Sequence, residues 1–462
     1  MSGFDHIDDD GFPRTPNDSS DDDVRRFRES LRNGSRDINS PEALEEIIQF
    51  YLDHEEFEEA LQFAERLLSF EPFSSDAWQR KGMILNNLTR YADALSCYDR
   101  ALSLNPTDPE IYINRGITLD NMERVSEAME SFDRAIELEP ANAEGLFQKG
   151  ITLEKEERFP EAVEIFRQVL ALEPEHIDVW YELGYCYDFM EKPEESVQAY
   201  DEHLSRDPYN SNAWYNKGIV LNRIGRYAEA ISAYEFALAI HEDFPSAWYN
   251  LGNAYANTAK LHDAIRCYKQ TLEAEPSDVP AWHNLANAWE ELGEYQEAIQ
   301  CYTTALSHDP SHHESHFGRG CCLDALMRTP EALVDYEHAA SLEPNIAEYW
   351  YARADALYNI GRKEDSLKPY RRVLQIDPKN ADAWFDFGDT LSELGHADEA
   401  IKALEHAIEL HPDFAQAHYS LGRALVQSGR DSDGRAALEQ AIRLMPSLRA
   451  DAEKLLNSPP SA

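Results

Sequence analysis

Apolar and small residues recur three and four positions apart through most of this chain, the spacing that places them on one side of an α-helix. Trp214, Gly218 and Leu221 share such a face, and after a short polar break Ala230 and Tyr234 resume it. This helix–break–helix unit returns every 34 residues, punctuated by Pro72, Pro106, Pro140, Pro174, Pro208, Pro276, Pro310, Pro344, Pro378, Pro412 and Pro446. Only Glu242 interrupts the series, and no insertion disturbs the register. A fixed period of this size marks stacked supersecondary units.

With the proline at position 32, repeats begin at residues 41, 75, 109, 143, 177, 211, 245, 279, 313, 347, 381 and 415. Position 4 is usually Trp, as in Trp78, Trp214 and Trp384; position 8 is small, as in Gly82, Gly150 and Ala286. Position 20 is Ala or Ser in nearly all repeats, and position 24 is mostly aromatic, as in Tyr98, Phe166 and Tyr268. The pattern predicts two antiparallel helices. The small residues at 8 and 20 allow close approach, and the large ones at 4, 11 and 24 fill the space around that contact. A Gly near position 15 or 16 often supports the turn. The proline follows the second helix and stops it.

These positions closely resemble the tetratricopeptide repeat family over about nine-tenths of the chain. The resemblance implies an all-α, right-handed α-solenoid of helix-turn-helix repeats. Residues 41–448 would form twelve repeats, the first and last degenerate as capping repeats are, and residues 449–462 a capping helix and tail. Residues 1–40, with Asp8-Asp9-Asp10 and Asp21-Asp22-Asp23, hold too few apolar groups for a core and are expected to be mostly disordered, with a short helix near Val24 to Arg32. Glu242 is where a special seam of the array is expected.

The chain carries 87 acidic and 42 basic residues, a net charge of −45, with 12 Lys against 30 Arg. This balance resembles proteins of salt-accumulating halophilic prokaryotes; a basic partner is the alternative. Either way it argues against nucleic acid, whose phosphates need a basic footprint. No signal segment or membrane-length apolar run occurs, so a cytoplasmic protein without membrane insertion is expected. Cys97, Cys267 and Cys301 share position 23 in different repeats, and the six cysteines read as free thiols.

On the first helix, positions 4, 7, 8 and 11 pack the repeat. Positions 2, 5, 6, 9, 12 and 13 form the opposite face, expected to be free and, by resemblance, to line the concave groove. From Asp76 to Gln427 that face carries 18 acidic residues and four basic ones, Arg80, Lys155, Arg223 and Arg423. The repeats beginning at 211 and 245 have no acid there. The candidate peptide-binding residues are Asn114, Asn216, Asn250, Asn253, Asn284 and Asn287 with Tyr181, Tyr215, Tyr249, Tyr351 and Phe385. An asparagine amide donates and accepts, so a ladder of them suits an extended backbone, and tyrosines add area at low entropy cost. The position-6 asparagines resemble the ladder of O-linked N-acetylglucosamine transferases, but no residues remain here for a catalytic domain. The bland reading is that these amides and rings only bond neighbouring turns and repeats.

Recognition of an acidic C-terminus by a carboxylate clamp needs Lys or Arg at positions 5 and 9, where only Arg423 qualifies. The acidic flanks favour a peptide with Lys or Arg outside a neutral centre. His308, His312, His313 and His316, followed by Cys321 and Cys322, read as a loop group and a Trp replacement, with no metal site. Paired carboxylates read as a solvated face. With no phosphate loop, nucleophile elbow or HExxH, no catalytic residue and no cofactor is expected. The leading function is a non-enzymatic scaffold binding a protein or extended peptide. The alternative is a regulatory subunit that recruits a separately encoded enzyme in secretion, envelope assembly or protein modification.

Overall fold

The structure is a computed structural model that describes residues 27–30, 32 and 40–457. Among these residues the regular structure is entirely helical. Each repeat places its first helix on positions 1–13 and its second on positions 17–30, as in Ala143–Lys155 with Phe159–Leu172, or Pro245–Asn257 with Leu261–Ala274. The chain divides into two compact units, Met1–Ile224 and Gly225–Ala462. The division falls in the turn between helices Ser211–Arg223 and Tyr227–Ile240, not at Glu242.

Glu242 does what the prolines do. Its carbonyl accepts from Trp248 Nε1 at 3.0 Å, as the Pro72 carbonyl accepts from Trp78 at 3.1 Å and the Pro276 carbonyl from Trp282 at 2.9 Å. The position-4 indole therefore ties the start of one repeat to the end of the last through a backbone oxygen, which any residue supplies. First helices are commonly capped: Ser74, Asn142, Asn210, Asp278 and Asn380 each accept a backbone N–H of the first turn.

Within a repeat the position-24 ring lies over the position-8 glycine. A Cβ on Gly82 would meet Tyr98 Cε1 at 2.5 Å, and one on Gly252 would meet Tyr268 Cε1 at 2.6 Å. Position 20 is fully buried beside them, as at Ala94, Ala162 and Ala264. Positions 3 and 10, absent from the expected packing face, are buried too: Ala213 and Val220, Ala247 and Ala254, Val179 and Cys186. Position 7 often carries a cation that reaches back to the preceding repeat, as in Lys81–Glu65 at 2.9 Å, Lys149–Asp133 at 2.6 Å and Arg353–Glu337 at 3.1 Å.

The turn residue at position 15 is left-handed in every repeat. Gly225, Gly293, Gly361, Gly395 and Gly429 serve in five, while Glu55, Thr89, Glu123, Glu157, Glu191, Ala259 and Met327 adopt φ between 56° and 60°. A side chain there costs roughly 1 kcal/mol of local strain. Met327 is 87% exposed and has no packing to lose. Met327→Gly is therefore expected to stabilise the protein by about 0.5 kcal/mol, since glycine's extra chain entropy offsets part of the relief. A urea unfolding midpoint that falls instead would show that the turn is not strained.

Phe27 stacks on Phe50 with centroids 3.7 Å apart, and Arg28 pairs with Glu56 at 3.0 Å, docking residues 27–30 on the first repeat. The remainder of the acidic segment expected to be disordered lies outside the described residues, Arg32 and Ser40 apart. After a 3-10 turn at Pro446–Leu448, helix Arg449–Asn457 follows the last repeat; the tail beyond it also lies outside the described residues. Cys97, Cys186, Cys267, Cys301 and Cys322 are buried free thiols and Cys321 is half-buried. No described helix is long and apolar enough to cross a membrane.

Candidate binding face

First helices of successive repeats touch one another directly within each unit, as Ser75–Asn87 and Pro109–Asn121 do, or Val279–Glu291 and His313–Ala325. Their positions 5 and 6 are mostly half-buried, and Gln79 and Ile113 are buried. In the first unit Asn216 Nδ2 donates to the Tyr181 hydroxyl, 35 residues earlier, at 2.9 Å. The Tyr181 ring meets Tyr200 edge-on at 5.8 Å. Tyr215 is half-buried on the same helix as Asn216. Asn114 is half-buried and its backbone carbonyl accepts from Thr118 Oγ1 at 3.0 Å.

The second unit holds the denser network. Asn284 Nδ2 donates to the Tyr249 hydroxyl and to Asn253 Oδ1, both at 3.0 Å. Asn253 Oδ1 also accepts from the Tyr268 hydroxyl at 2.9 Å, and Asn287 Oδ1 from the Tyr302 hydroxyl at 2.5 Å. Asn250 is half-buried on the helix that carries Tyr249 and Asn253. His283 continues the run: Asn287 Nδ2 donates to its Nε2 at 3.1 Å, and its Nδ1–H donates to Ser315 Oγ at 3.1 Å. Burial first, then the neighbouring His312, push His283 down to about 4, so it is uncharged at neutral pH. Tyr351 donates to Asp386, one repeat on, and lines a pocket of about 350 Å³ with Glu348, Asn380 and Asp382. Phe385 packs against Phe414 at 4.8 Å.

Of these contacts, those of Asn216 with Tyr181, of Asn284 with Tyr249 and Asn253, and of Tyr351 with Asp386 join neighbouring repeats, while those of Asn253 with Tyr268, Asn287 with Tyr302 and Phe385 with Phe414 lie within one repeat. The sequence carried a sign of the first set: a position-5 tyrosine recurs with a position-6 amide or acid one repeat and one residue later. The networks fix the side chains and also occupy several of their polar atoms.

Three of the four cations on this face are held by acids of the preceding repeat: Lys155 by Asp120 at 2.7 Å, Arg423 by Asp389 at 2.6 Å, and Arg223 by Asp188. Arg423, the one clamp-like residue, is thereby engaged. The acids are not uniformly solvated, contrary to expectation. Burial raises Asp386 to about 6. Burial first, then the Glu154 charge and a hydrogen bond with Glu154, raise Glu182 to about 8. Glu154 is raised as well, chiefly by burial.

His312 accepts the Ser315 N–H at 3.2 Å as a helix cap, and His313 Nδ1 meets the Tyr349 hydroxyl at 2.8 Å. His316 takes the position-4 role, its Nε2 on the Pro310 carbonyl at 3.1 Å and its Nδ1 on Asp335 at 3.0 Å. His316, Asp335 and His338 bring ligand atoms within 4.8 Å of one another, a spacing that would suit a metal ion. Arg319, however, already donates to both Asp335 oxygens, at 2.7 and 2.8 Å. The buried Asp335 carboxylate is thus already bonded by Arg319 and His316, with His338 exposed beside them.

Models of the tetratricopeptide repeat match residues 75–108 and 279–312, 189–247 and 385–448, 153–217 and 224–288, 97–130, and 347–380, together well over half of the chain. The chain belongs to the tetratricopeptide repeat family. No curated protein matches it by sequence. Among solved structures, this tetratricopeptide repeat protein is similar to YrrB, described as having an unusual peptide-binding site, at 23% identity over 41% of this chain and 99% of that one, with a TM-score of 0.39. The C-terminal part of a repeat-containing protein from Cytophaga hutchinsonii matches at 20% identity over 51% of this chain and 97% of that one, with a TM-score of 0.46. The Cut9–Hcn1 hetero-tetramer structure matches at 14% identity over 90% and 96%, with a TM-score of 0.38.

Proposed function

We propose that this protein is a non-enzymatic, cytoplasmic scaffold that binds an extended segment of another protein along the first-helix face of its repeats. The observation that carries the proposal is the uncharged patch of amides and phenols at Tyr249, Asn253, Asn284 and Asn287, in which Asn284 bonds Tyr249 and Asn253 of the preceding repeat and tyrosines of their own repeats hold Asn253 and Asn287. A ligand therefore meets polar groups whose rotamers are already fixed, which lowers the ordering cost of binding. Asn284 spends its amide protons inside the array, so its Oδ1 is the atom to accept a peptide N–H. Acids border the patch, at Asp278, Glu290, Glu291 and Glu314, and favour Lys or Arg in the parts of the ligand outside a neutral centre. Nucleic acid is disfavoured, because three of the face's cations are neutralised in place.

The test is selection of a displayed random peptide library on the full chain, followed by affinity measurement for the best peptide. Asn250→Ala with Asn284→Ala is expected to weaken it at least about tenfold, roughly the worth of one or two lost hydrogen bonds. Stability should fall by about 1 kcal/mol for each bond lost, two of them the Asn284 bonds to Tyr249 and Asn253. Unchanged affinity would leave the network a purely structural device and sink the reading.

A further inference from the structure

Within the first unit, helices Ala143–Lys155 and Ile177–Phe189 bring together a corner that the amide network does not use. Glu154 and Glu182, one from each helix, are hydrogen-bonded to each other. Two carboxyl groups bond in this way only when one of them holds a proton. Cys186 Sγ adds a donor to Glu154 Oε2 at 3.6 Å. Lys155 next to the pair is held by Asp120 at 2.7 Å and Arg158 by Glu161 at 2.7 Å. Among the described residues no Lys or Arg forms an ion pair with Glu154 or Glu182. The one cation whose charge acts on Glu154, Lys155, is bonded to Asp120 instead of to the pair.

Beside the pair stands a shelf of rings. Phe159 stacks on Phe189 with centroids 5.1 Å apart and planes 18° apart, and Tyr185 lies 4.7 Å from Phe189. Phe189 is 56% exposed, uncommon for a ring of its size. Tyr185 is near enough to feel the charge of both glutamates, which help hold its phenol above the usual range after burial. The other titratable groups near the pair are Asp178, Tyr181, Tyr200 of the helix Pro193–Arg206 and, toward Tyr185, Glu157.

We propose that this corner anchors one basic side chain, lysine or arginine, of the bound protein segment, with its cationic head between Glu154 and Glu182 and its hydrocarbon stem along Phe159, Tyr185 and Phe189. The inference rests on the scaffold reading above and deepens it by naming what one stretch of the ligand must contain. On binding, the cation takes the place of the shared proton, which leaves to solvent. Long basic side chains combine an apolar stem with a charged tip, and cations are attracted to aromatic faces. A bare metal ion would use the carboxylates but leave the shelf uncovered, so the rings single out an organic cation.

The experiment uses the full chain and two dye-labelled Gly/Ser heptapeptides, one with a central lysine and one with norleucine, titrated by fluorescence anisotropy at pH 8.5. The lysine peptide is expected to bind about tenfold tighter, within the range measured for a cation partly removed from water. Phe159→Ala with Phe189→Ala, and separately Glu154→Gln with Glu182→Gln, should each bring the two peptides to within about twofold. Equal binding of both peptides to the wild-type chain would overturn the anchor and spare the scaffold. Binding of neither would overturn both. A lysine preference that survives both double variants would place the cation elsewhere and refute this site.

Discussion

Gly150→Val is expected to lower the stability of the protein by about 3 kcal/mol, and Gly150→Ala by about 1 kcal/mol, through overpacking. A Cβ at Gly150 would lie 2.4 Å from Phe166 Cε1 and 2.8 Å from Cδ1. The ring has little room to retreat: Phe166 is fully buried and Phe147 leans on it at 6.0 Å. The fold can open slightly to admit a methyl group, because Ala286 and Ala354 occupy the same repeat position opposite Tyr302 and Tyr370. That precedent is why the alanine cost is set low and the branched side chain carries the larger loss. Gly145, five residues earlier on the same helix, is the control. A Cβ there meets nothing closer than 3.5 Å, an ordinary contact, and other repeats place alanine at this position. Gly145→Ala should therefore stabilise by about 0.5–1 kcal/mol, the usual helical gain of alanine over glycine. Opposite signs for Gly145→Ala and Gly150→Val in urea unfolding would confirm that approach distance decides the outcome. A Gly150→Val variant as stable as the wild type would refute the ring-over-glycine packing.

The contact at Gly150 is legible in the sequence because it is written in size: a residue without a side chain at position 8 and a ring at position 24, copied from repeat to repeat. Helix placement is legible for the same reason. What escapes is chemistry that residue type conceals. Ala213, Thr118 and Cys186 look neutral in a hydrophobic pattern, yet each is buried at position 3 or 10, between repeats. Lys217 sits on a packing position, but its stem lets the ammonium reach Asp201, with the Trp214 ring 5.0 Å away. Glu123 and Thr89 are unreadable as left-handed residues, because the two helices they join impose the turn, whatever the side chain. Of the candidate face, the residue types and the helix side are visible. That Asn284 and Asn216 bond to tyrosines of the preceding repeat is hinted at by their 35-residue spacing, but the stacking of repeats is what brings them together. Glu154 and Glu182 are 28 positions apart in a chain rich in acids, and only packing reveals that they meet.

That meeting sets the remaining prediction, for Glu182→Gln. In the folded chain, burial and then the neighbouring Glu154 hold the Glu182 carboxyl at about 8, against an ordinary glutamate value of about 4.3 in the unfolded chain. Below the unfolded value both states are protonated and the group's favourable contribution is intact. As pH rises through the interval the unfolded chain releases a proton that the folded chain retains, so stability declines. Above about 8 the folded chain must also ionise, and the penalty becomes constant. Glutamine keeps the donor to Glu154 without a proton to lose. Allowing for solvent relaxation at a half-buried site, Glu182→Gln should be about 2 kcal/mol more stable than the wild type at pH 9, with the difference shrinking toward zero near pH 4.5. The overall charge of −45 makes both proteins respond to pH through self-repulsion, and the comparison cancels most of that common response. Chemical unfolding of the two proteins at pH 5, 7 and 9 reads the difference directly. Parallel stability curves would mean that Glu182 ionises as freely in the folded chain as in the unfolded one, and that no proton joins it to Glu154.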